Sequence, residues 1–112
     1  MAKFLALYMG SEAAVAGPQP NDEQIQRGMA AWGKWMVDHA DVVVDTGGPL
    51  GKTKTASRSG VADSKNLVAG YVIIDVDSHD AAVKLFENHP HFAIFPGESV
   101  EVMPVLPIPG AP

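Results

Sequence analysis

Two of the four histidines in this chain flank a proline, in the sequence His89-Pro90-His91. An imidazole with a pKa near neutrality can act as an acid or a base in catalysis. His89 follows Leu85 and Phe86 at helical spacing, which predicts that it faces the core at the C-terminal end of a helix, where the helix dipole favours imidazolium. The alternative is a structural histidine that caps the last turn while Pro90 stops the helix. We therefore take His89 and His91 as candidate catalytic residues and keep the structural alternative open.

A third candidate catalytic residue is Asp45, which precedes Gly47 and Gly48. Glycines allow backbone amides to point into a cleft, and a nearby carboxylate could accept a proton or hold a ligand. In the alternative interpretation, Asp45 bonds its own backbone and stabilises a turn. We predict that Gly47 and Gly48 contribute to ligand binding.

Four aromatic side chains could line an apolar binding site: Tyr8, Trp32, Trp35 and Tyr71. Sites for small molecules are mostly apolar, with a few polar groups that orient the ligand. Tyr8 and Trp32 are our candidates for ligand binding. Packing in the core is the competing explanation for all four rings.

Composition excludes several classes of function. The net charge is −5, and nucleic-acid binding needs clustered basic residues, so we expect no nucleic-acid partner. The weak cluster of Lys52, Lys54 and Arg58 could hold a small anion or could be a solvated loop. The absence of cysteine excludes disulfides and thiolate catalysis.

Metal and cofactor sites are also not indicated by the sequence. His39 lies between Asp38 and Asp41, but neighbouring side chains on a helix point in different directions, so this group is a poor metal site. The segment from 47 to 51 lacks the glycine spacing and the final Lys-Ser/Thr of a phosphate-binding loop. We predict no metal and no cofactor.

The apolar run from Phe4 to Met9 is too short for a signal sequence or for a membrane span. We therefore predict a cytoplasmic protein with no membrane partner.

The elements that would position these residues alternate between strands and helices. An apolar strand over Lys3–Met9 is followed by an exposed loop, and Asn21 then caps a helix that ends near residues 39–40. Further strands are predicted at 42–44, 53–59, 67–76 and 99–105, with a turn region at 60–66, a second helix after Ser78 and a loop at 91–97 that contains Phe95. This β-α-β-(β)-β-α-β order predicts an α+β fold, the ferredoxin-like split βαβ with an antiparallel sheet and an extra hairpin arm.

The first helix presents Ile25, Met29, Trp32 and Met36 on one face, which predicts the buried side. Trp35 falls off this stripe and is expected at an edge or an interface. Gly28 and Gly33 weaken the helix, which suggests that a neighbour packs closely against it.

The strand at 67–76 is apolar on both sides, although an antiparallel sheet with helices on one face leaves the other face open. A second copy of the chain is the simplest cover for that face. We predict a homodimer.

The chain resembles the YCII-related family, including its DGPF-motif relatives, over about residues 1–106. The resemblance rests on segments 3–8, 32–36, 45–50, 70–78, 88–90 and 99–104. It implies a ferredoxin-like domain that pairs into a dimeric α+β barrel. The prolines of residues 107–112 themselves predict a stiff tail that does not pair. Some members use a His and an Asp near the cleft, with the His in the first helix. The region 30–32 has no His, and Val61-Ala62-Asp63-Ser64 stands near the DGPF position, so this dyad is not transferred.

These observations favour a small homodimer that binds a small organic molecule between sheet and helices, with cofactor-free acid–base chemistry such as proton abstraction or elimination. The alternative is a non-catalytic binding or accessory module with structural histidines. A third hypothesis is partner binding through the proline-rich tail. An enzyme should place a His and a carboxylate together in a concave site, whereas a structural module should show histidines that are exposed or bonded only to backbone.

Overall fold

The computed structural model describes residues 2–110, arranged as six strands and four helices. The strands are β1 (Ala2–Met9), β2 (Val43–Pro49), β3 (Thr53–Ser57), β4 (Gly60–Ser64), β5 (Val68–Val76) and β6 (Ser99–Pro104). The helices are α1 (Glu12–Ala16), α2 (Asp22–Asp38), α3 (His79–Lys84) and α4 (Pro90–Ala93). Of the predicted proline-rich tail, residues 111 and 112 lie outside the described residues.

Four strands form one antiparallel sheet in the order β2-β5-β1-β6. The two central strands, β1 and β5, are far apart in sequence, and each has a helix between it and the outer strand that follows it. This is the predicted ferredoxin-like split βαβ arrangement, so the predicted α+β fold class is confirmed.

The core lies on the helix-covered face of this sheet. Alternate residues of β1, namely Phe4, Ala6 and Tyr8, are buried there, and Val72 and Ile74 of β5 lie beside them. Successive side chains of a strand point to opposite faces, so the pairing register of β1 and β5 determines which of their residues face the helices. Trp35, Ala82 and Phe86 complete the core from the helix side.

The opposite face of the sheet is apolar and only half-buried. Leu5 and Leu7 of β1 lie beside Tyr71 and Ile73 of β5, and all four are partly exposed. Met103 of β6 pairs with Leu5 and is exposed. This face therefore carries apolar surface that the helices do not cover.

The arm is a separate two-stranded sheet, formed by β3 and β4 and spanning residues 53–64. Nearly all of its residues are exposed. The sequence predicted β3 and described 60–66 as a turn region. That second expectation was wrong, because residues 60–64 pair along the whole of β3.

Three further expectations were wrong in detail. The loop predicted at 11–20 contains the short helix α1, which Ser11 caps by accepting a hydrogen bond from the amide of Ala14. Strand β2 runs on to Pro49 through the glycine-rich segment, with irregular pairing to β5. Trp35 is buried in the core rather than at an edge, and its indole N–H donates to the Leu85 carbonyl.

The inward face of α2 differs from the predicted stripe because the helix is rotated about its axis. Gly28 and Trp35 are buried, whereas Ile25 and Met29 are exposed. The expectation that a neighbour packs against a glycine of α2 is confirmed at Gly28, where a β-carbon would clash with the Phe95 ring. At Gly33 it was wrong, since nothing lies within 4 Å of the position of a β-carbon.

Candidate functional site

His89 begins a helix instead of ending one. Helix α3 stops at Lys84, and the chain then turns into α4, whose first residue is Pro90. Proline is well suited to the first position of a helix because the amide it lacks would have no partner there. His89 is the N-cap of α4, and its Nδ1 accepts a hydrogen bond of 3.0 Å from the His91 amide. The predicted position at a helix C-terminus was therefore wrong.

His89 is one of the most buried side chains in the chain, with 1% of its surface exposed. Four rings surround it at centroid distances of 4.7–5.8 Å: Trp32, Trp35, Tyr8 and Phe86. We call these five side chains the aromatic–histidine cluster. Burial, followed by the charges of nearby His91 and His39, lowers the pKa of His89 from 6.5 to about 4. The expected stabilisation of imidazolium is thus reversed.

His91 lies one residue into α4 and is held by a backbone carbonyl. Its Nε2 lies 2.7 Å from the Met9 oxygen, which also accepts the Glu98 amide at 2.9 Å. A carbonyl can only accept, so Nε2 carries the proton, and in the neutral ring Nδ1 is the basic nitrogen. Within residues 2–110 this Nδ1 has no hydrogen-bond partner. His91 therefore keeps one nitrogen free to accept a proton.

Tyr8 contributes a second polar group to the cluster. Its hydroxyl is buried and has no hydrogen-bond partner among the described residues. Burial raises the pKa of Tyr8, an effect that the neighbouring Trp32 side chain opposes. The phenol therefore stays protonated at neutral pH.

A cavity of about 340 Å³ opens beside this cluster, between α2 and one end of the sheet. Its wall includes Tyr8, Trp32, Gly48 and His91. The other lining residues are Met29, Thr46, Pro49, Ala69, Gly70, Tyr71 and Phe95. A cavity of this size, with apolar walls and few polar groups, has the character of a small-molecule site.

The structure brings together four of the seven predicted site residues and leaves three outside the wall. Tyr8, Trp32, Gly48 and His91 line the cavity. His89 lies behind the wall, in ring contact with Tyr8 and Trp32. Asp45 and Gly47 do not line the cavity, and their proposed roles stay predictions.

Asp45 and Gly47 form the turn anticipated in the alternative interpretation. The Asp45 Oδ1 accepts the Gly47 amide at 2.8 Å, and the side chain is exposed. Gly47 has a φ of +63°, and a β-carbon there would collide with the Tyr71 carbonyl. Only glycine fits this close approach, so the residue shapes β2 next to the cavity.

Sequence reasoning missed Phe95 as part of the site. Phe95 was placed in a loop after His91, with no indication of its neighbours. The available signal was Gly28, which predicted a close neighbour without naming it. The loop is fixed by a hydrogen bond of 2.6 Å from the Gln24 side-chain amide to the Ile94 carbonyl.

The polar partners of the histidines are all backbone atoms. His39 contacts the Trp35 carbonyl and His79 the Val102 carbonyl, while His89 and His91 bond as described above. No carboxylate lines the cavity in the part of the chain that the structure describes. Over the same residues, no group of three His, Asp or Glu side chains is arranged to hold a metal ion.

Comparisons with known proteins agree with this fold. The family model described as YCII-related domain matches residues 2–108. A search of curated proteins found no match. The solved structure of 5-chloro-2-hydroxyhydroquinone dehydrochlorinase from Burkholderia phenoliruptrix AC1100, in complex with 2,5-dihydroxybenzoquinone, is similar with a TM-score of 0.54 at 18% identity, covering 90% of each chain. At this identity the likeness shows a shared fold.

None of the helices between residues 2 and 110 is long and apolar enough to cross a membrane.

Proposed function

Because the chain belongs to the YCII-related domain family, we propose that it binds a small, planar organic molecule in the cavity between α2 and the sheet. The observation that carries this proposal is the cavity itself, about 340 Å³ in volume and walled by aromatic rings beside a histidine. We also propose that the protein is a cytoplasmic homodimer. The cytoplasmic location stays a prediction from the sequence.

The shape and chemistry of the wall favour a flat, mostly apolar ligand. Tyr8, Trp32 and Phe95 contribute rings to it, and the Tyr8–Trp32 and Trp32–Phe95 ring centroids lie 4.8 and 6.1 Å apart. Aromatic rings attract one another in offset and edge-to-face arrangements. The bound 2,5-dihydroxybenzoquinone in the dehydrochlorinase structure is a ligand of this class on the same fold.

Acid–base chemistry at His91 is a second candidate function. Its Nε2–H is held by the Met9 carbonyl, and the free Nδ1 could accept a proton from a bound ligand and release it to water. Two observations favour the non-catalytic alternative: all four histidines bond to backbone atoms, and no described carboxylate lies in the cavity wall beside His91. Binding is therefore the primary proposal, and turnover is the outcome to test.

Binding is tested by titrating the ¹⁵N-labelled protein with 2,5-dihydroxybenzoquinone and following the backbone amides of the cavity wall by NMR. Gly48 lines the cavity, and a β-carbon there meets nothing within 4 Å, so Gly48→Leu should place a side chain in the open space. Gly51→Leu is the matched control, since Gly51 has the same open surroundings and lies outside the wall. We expect saturable shifts in the wild type and in Gly51→Leu, and loss of binding in Gly48→Leu. Equal responses in all three proteins would refute the proposed site.

The homodimer is proposed to form through the half-buried sheet face that carries Leu5, Leu7 and Ile73. Exposed apolar patches of this kind usually mark interfaces. Light scattering coupled to size exclusion should give twice the chain mass for the wild type and the monomer mass for Leu7→Lys. Val37→Lys, on the exposed side of α2, is the control that should remain dimeric. A monomeric wild type would contradict the assembly without affecting the cavity.

A further inference from the structure

A second cavity, about 300 Å³ in volume, adjoins the one described above, which we now call the first cavity. Three residues belong to both walls: Ala69, His91 and Phe95. These residues form the boundary between the two spaces, so a ligand that touches them in the first cavity lies next to the second. The rest of the second wall comes from the region of α1 and the loop after α4, and includes Gly10, Ser11, Ala14, Gln19 and Gly97.

The backbone around the second cavity is fixed by hydrogen bonds on both sides. The Gly10 amide donates to the Leu67 carbonyl at 2.7 Å, and the Gly97 amide donates to the His91 carbonyl at 2.9 Å. The N-cap bond of α1 holds the start of that helix. Because the wall is already in place before a ligand arrives, binding there would cost little conformational entropy.

The two aromatic residues of the boundary are held in different ways. The His91 ring is bonded to the Met9 carbonyl, and it packs so closely on Gly97 that a β-carbon at position 97 would collide with it. The Phe95 ring is half-buried and is held by packing alone, against Gly28 and against Trp32. Phe95 can therefore shift without breaking a hydrogen bond, and the path between the cavities runs along its ring.

The chemistry of the two walls restricts the ligand. Among residues 2–110, no Asp, Glu, Lys or Arg side chain lines either cavity. A charged group placed there would lose its water without gaining a counter-charge, which is costly. The second cavity adds two neutral polar side chains to its apolar wall, Ser11 and Gln19. The Ser11 oxygen accepts the Ala14 amide, and its hydroxyl proton stays available to a ligand.

We propose that the two cavities are two subsites of one binding site, which takes an uncharged aromatic ring carrying a short flexible chain that ends in a hydroxyl group. The ring lies in the first cavity beside Trp32, and the chain passes Phe95 into the second cavity. The inference rests on the proposed function, because the first cavity is the site proposed there. It makes Phe95 a specificity-determining residue that controls how long a ligand the site accepts.

The test compares two probes with the same ring, 4-methoxyphenol and 4-(3-hydroxypropoxy)phenol. Affinities are measured by NMR titration of the wild type, and nuclear Overhauser contacts then locate the bound probe. We expect the longer probe to bind about tenfold more tightly, because its additional methylene groups leave water in the second cavity. Its ring protons should contact Trp32, and the protons of its chain should contact the Ala14 methyl group.

Two variants of α1 provide the matched comparison. Ala14 lines the second cavity, so Ala14→Leu should fill part of that space, whereas Ala16 is exposed on the same helix and lies outside both walls. Since α1 contains no buried residue, and leucine is a good helix former, both variants should fold. We expect Ala14→Leu to lose the tenfold preference while its affinity for 4-methoxyphenol stays unchanged. Ala16→Leu should behave as the wild type.

The possible outcomes distinguish failure of the inference from failure of the proposed function. The inference is overturned, and the first cavity stands, if 4-methoxyphenol binds and the longer probe binds no more tightly, or if the preference survives in Ala14→Leu. Contacts of the longer probe with Ala14 and none with Trp32 would also overturn it, because the cavities would then be separate sites. If neither probe binds but 2,5-dihydroxybenzoquinone does, the inference alone fails. If none of the three compounds binds, the inference and the proposed function both fail.

Discussion

The aromatic–histidine cluster and the arm differ in whether their polar side chains have hydrogen-bond partners. In the cluster, rings pack at centroid distances near 5 Å, yet Tyr8 and His89 each hold a polar atom without a partner. The arm has almost no buried surface, yet its side chains pair along the strands, as in Lys54–Asp63 and Thr55–Ser64. Burial therefore stabilises the first region despite missing hydrogen bonds, whereas hydrogen bonds in the second add little because water competes for them.

The largest difference in stability between the two regions should come from removing a buried ring of the cluster. Phe86 is 3% exposed and stacks on Trp35 at 5.1 Å, so Phe86→Ala should lower the free energy of unfolding by about 3–5 kcal/mol through lost burial and a new cavity. Val61→Ala in the arm should change it by less than about 0.5 kcal/mol, since Val61 is largely exposed. Urea unfolding measures both. Similar losses at the two positions would show that the arm is packed in solution.

A second contrast is the response to acid. The unfolded chain protonates His89 with a pKa near 6.5, and the folded chain does so only near 4, so the unfolded state binds more protons between these values. Stability is fully present above pH 6.5 and falls as the pH drops towards 4, by up to about 3 kcal/mol. Urea midpoints of the wild type and His89→Asn at pH 7 and pH 4.5 measure this loss. If His89→Asn loses as much stability as the wild type, another group is responsible.

Removing the unpartnered Tyr8 hydroxyl should change the free energy of unfolding by a smaller amount and in the opposite direction. Tyr8→Phe removes a buried group that has no partner in the described structure, so the unliganded variant should be more stable than the wild type by about 1 kcal/mol. Thermal unfolding without ligand tests this. A less stable variant would mean that the hydroxyl already has a partner, such as an ordered water.

The smallest change in the free energy of unfolding is expected from breaking an exposed ion pair in the arm. Lys54 and Asp63 lie 2.6 Å apart with side chains that are 73% and 85% exposed. Exposed pairs contribute about 0–1 kcal/mol, so Lys54→Ala should change the free energy of unfolding by no more than a few tenths of a kcal/mol. Urea unfolding at low and high salt should give nearly equal values. A marked loss at low salt would indicate that the pair belongs to a larger charged interface.

Strands β1, β5 and β6 were predictable from the sequence because their apolar residues form runs or alternate with the period of a sheet, whereas the exposed strand β4 was not predicted. Alternation in β5 indicated both faces correctly, and the Asn21 cap of α2 was recognisable from Gln24, whose amide it accepts. These features depend on neighbours along the chain, which a sequence shows directly.

The site was only partly predictable because its geometry depends on contacts between distant segments. The short turn after Lys84 changed His89 from the end of one helix to the start of the next. The rotation of α2 that buries Trp35 is set by packing on Phe86, about 50 residues away. Tyr8, Trp32 and His91 were identified as candidates from residue type, but Phe95 needed its packing against Gly28 to be found.

The contact between Gly28 and Phe95 also offers a way to sort related sequences. A β-carbon at position 28 would overlap the Phe95 ring, so the two positions are sterically linked across the cavity wall. Family members that keep a glycine and an aromatic residue at these places should retain a cavity of this shape. Members with a larger residue at position 28 should carry a smaller one at position 95, and a survey of paired substitutions would then divide the family by the size of this cavity.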